Sequence, residues 1–247
     1  MPKQYLFICG CPRSGTTALQ WALNQSPEIC MGGERYAHRF WSDESLNPSD
    51  FEQERFFSQQ DGDTFYDIRD AAWHPQKRAA WSQVRFIGDK LPLAYMRLPV
   101  LAREFPGAKV IVMIRNIFDV ASSYQKRDQA EDGDWQGGGI EQAVFDWNQL
   151  FAKLQQAPVS LALLPVAYER LFIQGDDVDR LISFIGLKNP APLRDALAVA
   201  HLDGRSLEND RSRGLSALDA ALICANADFD GYRRTLMSDP AARLKLA

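Results

Sequence analysis

Short apolar runs alternate along this chain with segments in which apolar residues recur every three or four positions. The apolar runs predict buried strands at residues 4–9, 84–87, 109–114 and 159–165. The helical spacing predicts helices at residues 16–24, 93–104, 117–126, 140–156 and 176–185. Strands that alternate with helices form parallel sheets, so the pattern predicts an α/β fold with three layers, α/β/α, around a central parallel sheet.

Residues 35–82 follow neither pattern and are rich in aromatic side chains. These side chains are Tyr36, Phe40, Trp41, Phe51, Phe56, Phe57, Phe65, Tyr66, Trp73 and Trp81. Two interpretations stay open: the rings form a local core, or the segment is an insertion that covers the substrate within one domain spanning residues 1–247. The sequence also predicts a mobile, glycine-rich loop at 128–139 and a polar loop at 204–214 in an otherwise helical C-terminal part.

The composition predicts one globular domain with a full core, because 46% of the residues are hydrophobic and 24% are charged. The net charge of −4 argues against a nucleic-acid partner, and no apolar stretch approaches the roughly 18 residues of a membrane span. The four cysteines contain no C-x-x-C pair, which argues against a disulfide framework or a zinc site. With no signal peptide before the first strand, we expect a cytoplasmic location.

The loop between the first strand and the first helix carries the strongest chemical signal. Residues 10–17 read Gly-Cys-Pro-Arg-Ser-Gly-Thr-Thr, which has the spacing of the phosphate-binding loop G-x-x-x-x-G-K-[ST]. Thr16 replaces the lysine, Thr17 keeps the hydroxyl position, and Arg13 adds a cation inside the loop. Backbone amides at the helix N-terminus can still hold a phosphate, whereas the lysine that reaches a triphosphate is missing. The loop therefore predicts a phosphate-bearing nucleotide other than ATP or GTP, against the alternative of an ordinary glycine-rich turn.

A second group of polar residues follows the strand at 109–114. Arg115 stands at the carboxyl end of this strand, where open α/β sheets bind ligands. Ser123 and Arg127 are four residues apart and share a face of the next helix. Arg115 can chelate a second phosphate, with the Ser123 hydroxyl as a further donor.

These two motifs together resemble the sulfotransferases that use 3′-phosphoadenosine 5′-phosphosulfate (PAPS). Residues 12–17 match the P-[RK]-S-G-T-T form of their 5′-phosphosulfate loop, and Arg115 and Ser123 match their 3′-phosphate motif. The Pro-Arg version is similar to tyrosylprotein sulfotransferases and to broad bacterial families. The resemblance implies a P-loop-type fold, PAPS as co-substrate and the bisphosphate PAP as product. It implies a nucleotide site formed by Arg13, Ser14, Gly15, Thr16, Thr17, Arg115, Ser123, Arg127 and Tyr168.

The resemblance also implies catalytic residues. In the tyrosylprotein branch a glutamate 21 residues after the loop arginine acts as the base, and Glu34 occupies that position here. His38 is the competing base, because histidine is usual in the cytosolic branch. Lys90 resembles the lysine of a Lys-x-Pro segment and, with Arg13, would neutralise charge on the sulfuryl group and the leaving phosphate. No metal is expected to take part.

Two C-terminal features extend the resemblance. Tyr168 and Glu169 match a Val-x-Tyr-Glu-x-Leu segment, which implies that Tyr168 contacts the nucleotide and that Glu169 is structural. The segment that closes the nucleotide site in relatives has no clear counterpart, and residues 211–214 are the candidate replacement.

The leading hypothesis is transfer of a sulfuryl group from PAPS to a hydroxyl or amine of a small molecule, glycan or peptide. One alternative is a divergent P-loop kinase or nucleotide hydrolase, which would require Mg²⁺ and which the missing lysine disfavours. The other is a nucleotide-binding protein without catalysis. The sequence leaves the acceptor and the oligomeric state open.

Overall fold

Five parallel strands form one sheet in a computed structural model that describes residues 3–42, 46–63, 73–129, 138–211 and 214–237. The strands are β1 Gln4–Gly10, β2 Ile29–Gly33, β3 Phe86–Lys90, β4 Lys109–Ile114 and β5 Ala162–Ala167. Their order in the sheet is β2-β3-β1-β4-β5, with every neighbouring pair parallel. The next two strands along the chain, β2 and β3, thus lie on one side of β1, and β4 and β5 lie on the other.

Some of the described helices lie between these strands in the sequence, and the others follow the last strand. They are α1 Thr16–Asn24, α2 Ala37–Trp41, α3 Gln53–Phe56, α4 Trp73–Ala79, α5 Leu98–Glu104, α6 Ile117–Asp128, α7 Gly139–Gln155, α8 Val178–Ile185, α9 Ala191–Arg211, α10 Ala217–Asn226 and α11 Phe229–Met237. Short 3-10 turns lie at Pro48–Phe51, Trp81–Gln83 and Pro92–Arg97, and a π-helical turn lies at Glu169–Gln174.

The sheet separates two apolar layers, because side chains alternate between its faces. Along β1, Phe7 and Cys9 join the cluster that contains α5, α6 and α7. Leu6 and Ile8 join the opposite cluster, which contains α1, α8 and the start of α9. The predicted three-layer α/β/α fold with a central parallel sheet is therefore confirmed.

Several predicted boundaries were wrong. No strand was predicted at 29–33, yet β2 pairs with β3 along its whole length. β5 starts three residues later than predicted, and Val159 is 89% exposed. Helix α9 runs through to Arg211, across most of the predicted polar loop at 204–214. A 3-10 turn replaces the first half of the helix predicted at 93–104, where Pro92 opens the segment.

The aromatic segment at 35–82 contains short helices whose rings pack on the sheet. Tyr36, Phe40, Phe51 and Phe56 are buried in the same cluster as Phe7 of β1. These four rings therefore fit the interpretation as a local core. Trp41 is 43% exposed, and Phe65 and Tyr66 lie outside the described residues. That the segment covers a substrate stays a prediction.

Two other expectations, the mobile loop at 128–139 and the lack of a membrane span, can be compared with the structure only over the described residues. Residues 130–137 of the predicted mobile loop lie outside the described residues; on either side, α6 ends at Asp128 and α7 begins at Gly139. Among the helices that the structure describes, none combines the length and apolarity that crossing a bilayer requires.

Candidate active site

The predicted site residues come together at the carboxyl edge of the sheet, and each strand contributes to the group. The glycine-rich loop follows β1, Glu34 follows β2, Lys90 ends β3, Arg115 follows β4 and Tyr168 follows β5. The strand registers place these ends side by side, with Gly33 opposite Lys90, Gly10 opposite Met113 and Ile114 opposite Ala167. Ser123 and Arg127 lie on α6 close to Arg13 of the loop.

The loop requires glycine where its backbone passes other groups closely. Gly15 caps α1 with φ 91°, and a methyl group there would lie 2.5 Å from Cδ2 of Tyr168. A methyl group at Gly10 would lie 2.2 Å from the carbonyl oxygen of Met113. No side chain caps the N-terminus of α1, so the N–H groups of its first turn remain available to an anion. The buried hydroxyl of Ser14 also has no hydrogen-bond partner among the described residues.

Beside the loop, arginine side chains converge on one region. Arg13 donates from Nε to Oγ of Ser123 over 2.8 Å. Arg115, which is buried, donates to the carbonyl of Arg13 over 3.2 Å and to the carboxylate of Asp119 over 3.3 Å. Its guanidinium lies 4.4 Å from the ring centre of Tyr168, and its Nε has no partner among the described residues. The region therefore has hydrogen-bond donors ready for an anionic ligand.

The electrostatics of this region also favour an anion. Burial, together with the positive charges of Arg127 and Arg115, lowers the pKa of Arg13. A bound anion would offset the repulsion among the three guanidinium groups. No role was predicted for Asp119, although its position four residues after Arg115 was a signal for the ion pair between them.

On the other side of the loop, Glu34 and Lys90 form an ion pair. Nζ of Lys90 lies 2.5 Å from Oε1 of Glu34, with the lysine side chain buried and the glutamate half-buried. The backbone N–H of Glu34 donates to the carbonyl of Lys90 over 2.9 Å, which couples the end of β2 to the end of β3. His38, the competing base, is exposed on α2.

An unusual backbone conformation marks two of the predicted catalytic residues. Among the described non-glycine residues, Arg13 with φ 70° and Glu34 with φ 60° are the two in the left-handed region. Such a conformation costs about 1–3 kcal/mol and persists where surrounding contacts impose it, often at functional sites. Both residues lie at the carboxyl edge of the sheet, beside the anion region.

Two buried carboxylates hold the loops of this edge. Asp89, for which no role was predicted, accepts hydrogen bonds from the backbone N–H groups of Arg35 and Tyr36 over 3.1 and 3.0 Å. Burial raises the pKa of Asp89 to about 7. Glu169 accepts the N–H of Asn116 over 2.9 Å at the start of α6, and burial raises its pKa. The one sequence signal for Asp89 was its position just before Lys90, at the end of a predicted strand.

The candidate closing segment at 211–214 is described only at its ends. A methyl group built on Gly214 would lie 3.5 Å from Oγ of Ser122 and 3.7 Å from Cε of Lys126, so this residue lies against α6. Residues 212 and 213 lie outside the described part of the chain. That the segment closes a nucleotide site stays a prediction.

The donor set fits a nucleotide with more than one anionic group. It combines three arginines, the buried Ser14 hydroxyl and the free N–H groups of α1, with no carboxylate cluster among them. Within the described ranges, no group of three or more His, Cys, Asp or Glu side chains could hold a metal ion. Independence from metals stays a prediction.

Comparison with known proteins gives the family. A family model described as "Sulfotransferase family" matches residues 5–190. A putative protein-tyrosine sulfotransferase of Caenorhabditis briggsae is 28% identical over 199 residues, which cover 75% of this chain and 66% of that protein.

The comparison with solved structures gives two further sulfotransferases, both at TM-scores below 0.5. The sulfotransferase domain of the curacin biosynthetic pathway has 17% identity and a TM-score of 0.49, covering 78% of this chain and 77% of its own. A mouse sulfotransferase complexed with PAP has 13% identity and a TM-score of 0.48, covering 100% of this chain and 90% of its own. The family match, which spans most of the chain, confirms the resemblance carried by the two motifs: the chain belongs to the Sulfotransferase family.

Proposed function

We propose that this protein transfers a sulfuryl group from PAPS to a hydroxyl or amine of an acceptor. One observation carries the proposal. A region of converging guanidinium groups, with donors that have no partner among the described residues, lies on one side of the glycine-rich loop. A carboxylate–ammonium pair lies on the other side. The guanidinium region can hold a nucleotide with two anionic ends. The carboxylate of Glu34 can accept a proton, and the ammonium group of Lys90 can stabilise a developing negative charge.

The strand order supports this division of the site. Neighbouring strands lie about 4.8 Å apart, so the ends of β2 and β4, three positions apart, are separated by roughly 14 Å. The loop after β1 lies between them. We assign the 5′-phosphosulfate to this loop, the 3′-phosphate to Arg115, Ser123 and Arg127, and the acceptor to the side of Glu34.

The proposed reaction is an in-line displacement at sulfur. The acceptor oxygen or nitrogen forms a bond to sulfur while the bond from sulfur to the bridging phosphate oxygen breaks. The electron pair of that bond leaves with the phosphate of PAP, and the acceptor proton passes to a carboxylate oxygen of Glu34. Arg13, Lys90 and the amides of the loop stabilise the charge on the leaving oxygen.

The contact between Glu34 and Lys90 is compatible with both roles. An ammonium group has three N–H donors, so Lys90 can keep its bond to Oε1 of Glu34 and still donate to a leaving oxygen. Because Lys90 is almost completely buried, its charge acts in surroundings that screen it less than bulk water does.

A ligand-induced shift in melting temperature (Tm) tests the nucleotide assignment against a kinase or NTP hydrolase. Adenosine 3′,5′-bisphosphate should raise the Tm in the absence of Mg²⁺, because a ligand that binds the folded state stabilises it. Adenosine 5′-phosphate, which lacks the 3′-phosphate, should raise it less. Equal or greater stabilisation by Mg-ATP would contradict the assignment, and binding without transfer to any acceptor would favour the alternative of a non-catalytic binding protein.

The acceptor and the location complete the proposal. The C. briggsae relative is named as a putative protein-tyrosine sulfotransferase, which puts phenolic hydroxyls, including those in peptides, first in an acceptor screen. The exposed ring of Trp41 supports the idea that the insertion at 35–82 contacts an apolar part of the acceptor. We place the reaction in the cytoplasm on the basis of the cysteine pattern.

A further inference from the structure

The backbone of Glu34 has a left-handed conformation, which residues other than glycine rarely adopt. A β-carbon at φ 60° lies close to the backbone, and glycine is the residue that adopts this region without cost. Within the described turn that contains Glu34, contacts with its neighbours must therefore impose the conformation. These contacts determine where the carboxylate lies relative to Lys90 and to an acceptor.

Two of these contacts come from Asp89, one residue before Lys90 on β3. Its Oδ1 accepts the N–H of Arg35 and its Oδ2 accepts the N–H of Tyr36, the two residues that follow Glu34. Asp89 is completely buried, and in surroundings of low dielectric constant its hydrogen bonds are electrostatically stronger than they would be in water. The turn after β2 is thus attached to the end of the strand that carries Lys90.

The local sequence is adapted to this attachment. A methyl group on Gly32 would lie 2.8 Å from Oδ1 of Asp89 and 2.9 Å from Cβ of Arg35, so only glycine lets the three groups approach. The Arg35 side chain attaches the turn to the segment that follows α3. It donates to the carboxylate of Asp63 over 2.9 Å and to the carbonyl of Ser58 over 2.7 Å.

We propose that Asp89 is a positioning residue, which holds Glu34 in its left-handed conformation beside Lys90 by accepting the N–H groups of Arg35 and Tyr36. This inference rests on the proposed function, in which Glu34 is the general base. Asp89 has no direct contact with substrate in this scheme. It fixes the distance from Glu34 to the acceptor, and a displacement of about 1 Å in a reacting group can reduce a rate by about 100-fold.

The variant Asp89→Asn tests the proposal with little change in size. An asparagine has one acceptor oxygen, so its NH₂ group would face one of the two backbone N–H donors. We expect the kcat for transfer of label from PAPS to fall by about 10–100-fold, while the KM for PAPS changes by less than about 2-fold. Amide hydrogen exchange at Arg35 and Tyr36 should become faster.

A double variant shows whether Asp89 acts through Glu34. In a Glu34→Gln background, Asp89→Asn should reduce kcat by less than about 3-fold, because the base that it positions is already absent. A reduction as large as in the wild-type background would overturn the proposal. If Glu34→Gln alone keeps full turnover, the general base has been misassigned. Hydrogen exchange at Arg35 and Tyr36 in Asp89→Asn then tests the attachment of the turn to Asp89 by itself, and unchanged exchange would refute that attachment.

Matched variants separate positioning from general destabilisation. Asp177 is also buried, faces Arg170 and Arg180 beside α8, and lies outside the site. Asp177→Asn should lower the Tm without changing kcat. If Asp89→Asn fails to fold, Gly32→Ala displaces the same carboxylate by contact and should reduce kcat while PAP binding is kept. Unchanged kcat in Gly32→Ala would then overturn the proposal.

Discussion

Arg115 gives the sharpest prediction about the nucleotide. Its guanidinium has five N–H donors, of which one goes to the carbonyl of Arg13 and one to Asp119, both over distances above 3.1 Å. Nε is buried and has no hydrogen-bond partner in the part of the chain that the structure describes. These internal bonds are long and the side chain is almost fully buried, so a 3′-phosphate would find a desolvated donor group already in place.

The expected size of the effect follows from these contacts. Removing one partner of a buried, charged hydrogen-bonded pair costs about 2–4 kcal/mol, which corresponds to about 30–900-fold in affinity. Arg115→Ala should weaken binding of adenosine 3′,5′-bisphosphate by this amount. Affinity for adenosine 5′-phosphate should fall by less than about 5-fold, because that ligand loses only the support that Arg115 gives to the loop at Arg13.

Isothermal titration calorimetry with the two nucleotides measures both affinities. Arg103→Ala is the matched control, since it removes the same charge from an exposed position on α5. Arg115→Lys keeps the charge and loses the planar fork, so its affinity for the bisphosphate should lie between those of the wild type and Arg115→Ala. If Arg115→Ala reduces both affinities equally, Arg115 has a structural role alone and the assignment of the 3′-phosphate fails.

Two further predictions concern the acidic residues. Glu34→Gln should lower turnover by about 10²–10⁴-fold with nearly unchanged PAP affinity, whereas His38→Asn should cost far less; the reverse pattern in steady-state kinetics would make His38 the base. The pKa of Asp89, raised by burial to about 7 and influenced further by Lys90 and Glu34, predicts that ionisation destabilises the folded state. The folded state therefore binds the proton of Asp89 more tightly than the unfolded state does, so the wild type loses stability as the pH rises from about 4 to about 7. Over this range the Tm of Asp89→Asn should rise relative to the Tm of the wild type, and above about pH 7 the difference between them should stay constant. A Tm difference that is independent of pH would refute this reasoning.

The sequence alone predicted the features that depend on short stretches of chain. The apolar run of β4 and the glycine spacing of residues 10–17 predicted a parallel sheet with a phosphate-binding loop, because buried strands and tight turns have strong local signatures. The motif residues predicted the family, which the comparison confirmed. The predicted strands also placed Lys90 and Arg115 at strand ends, and the carboxyl ends of parallel strands meet at one edge.

Where the local signal was weak, the sequence prediction failed. β2 is five residues long and ends in two glycines, so it read as a turn, and its pairing with β3 came from the tertiary contacts of an edge strand. The helical continuation of α9 to Arg211 overrode polar residues that favour a loop.

The tertiary structure alone decided how the site residues meet. The ion pair of Glu34 with Lys90 joins residues 56 positions apart, and the bond of Arg13 to Ser123 joins residues 110 positions apart. The sequence signal for Asp89 was limited to its position before Lys90, and its role became visible only when β3 lay beside β2 and the Asp89 carboxylate reached two backbone N–H groups. Spacing along the chain records local geometry, whereas such contacts depend on which strands become neighbours, and that is determined by the packing of the whole sheet between its two helical layers.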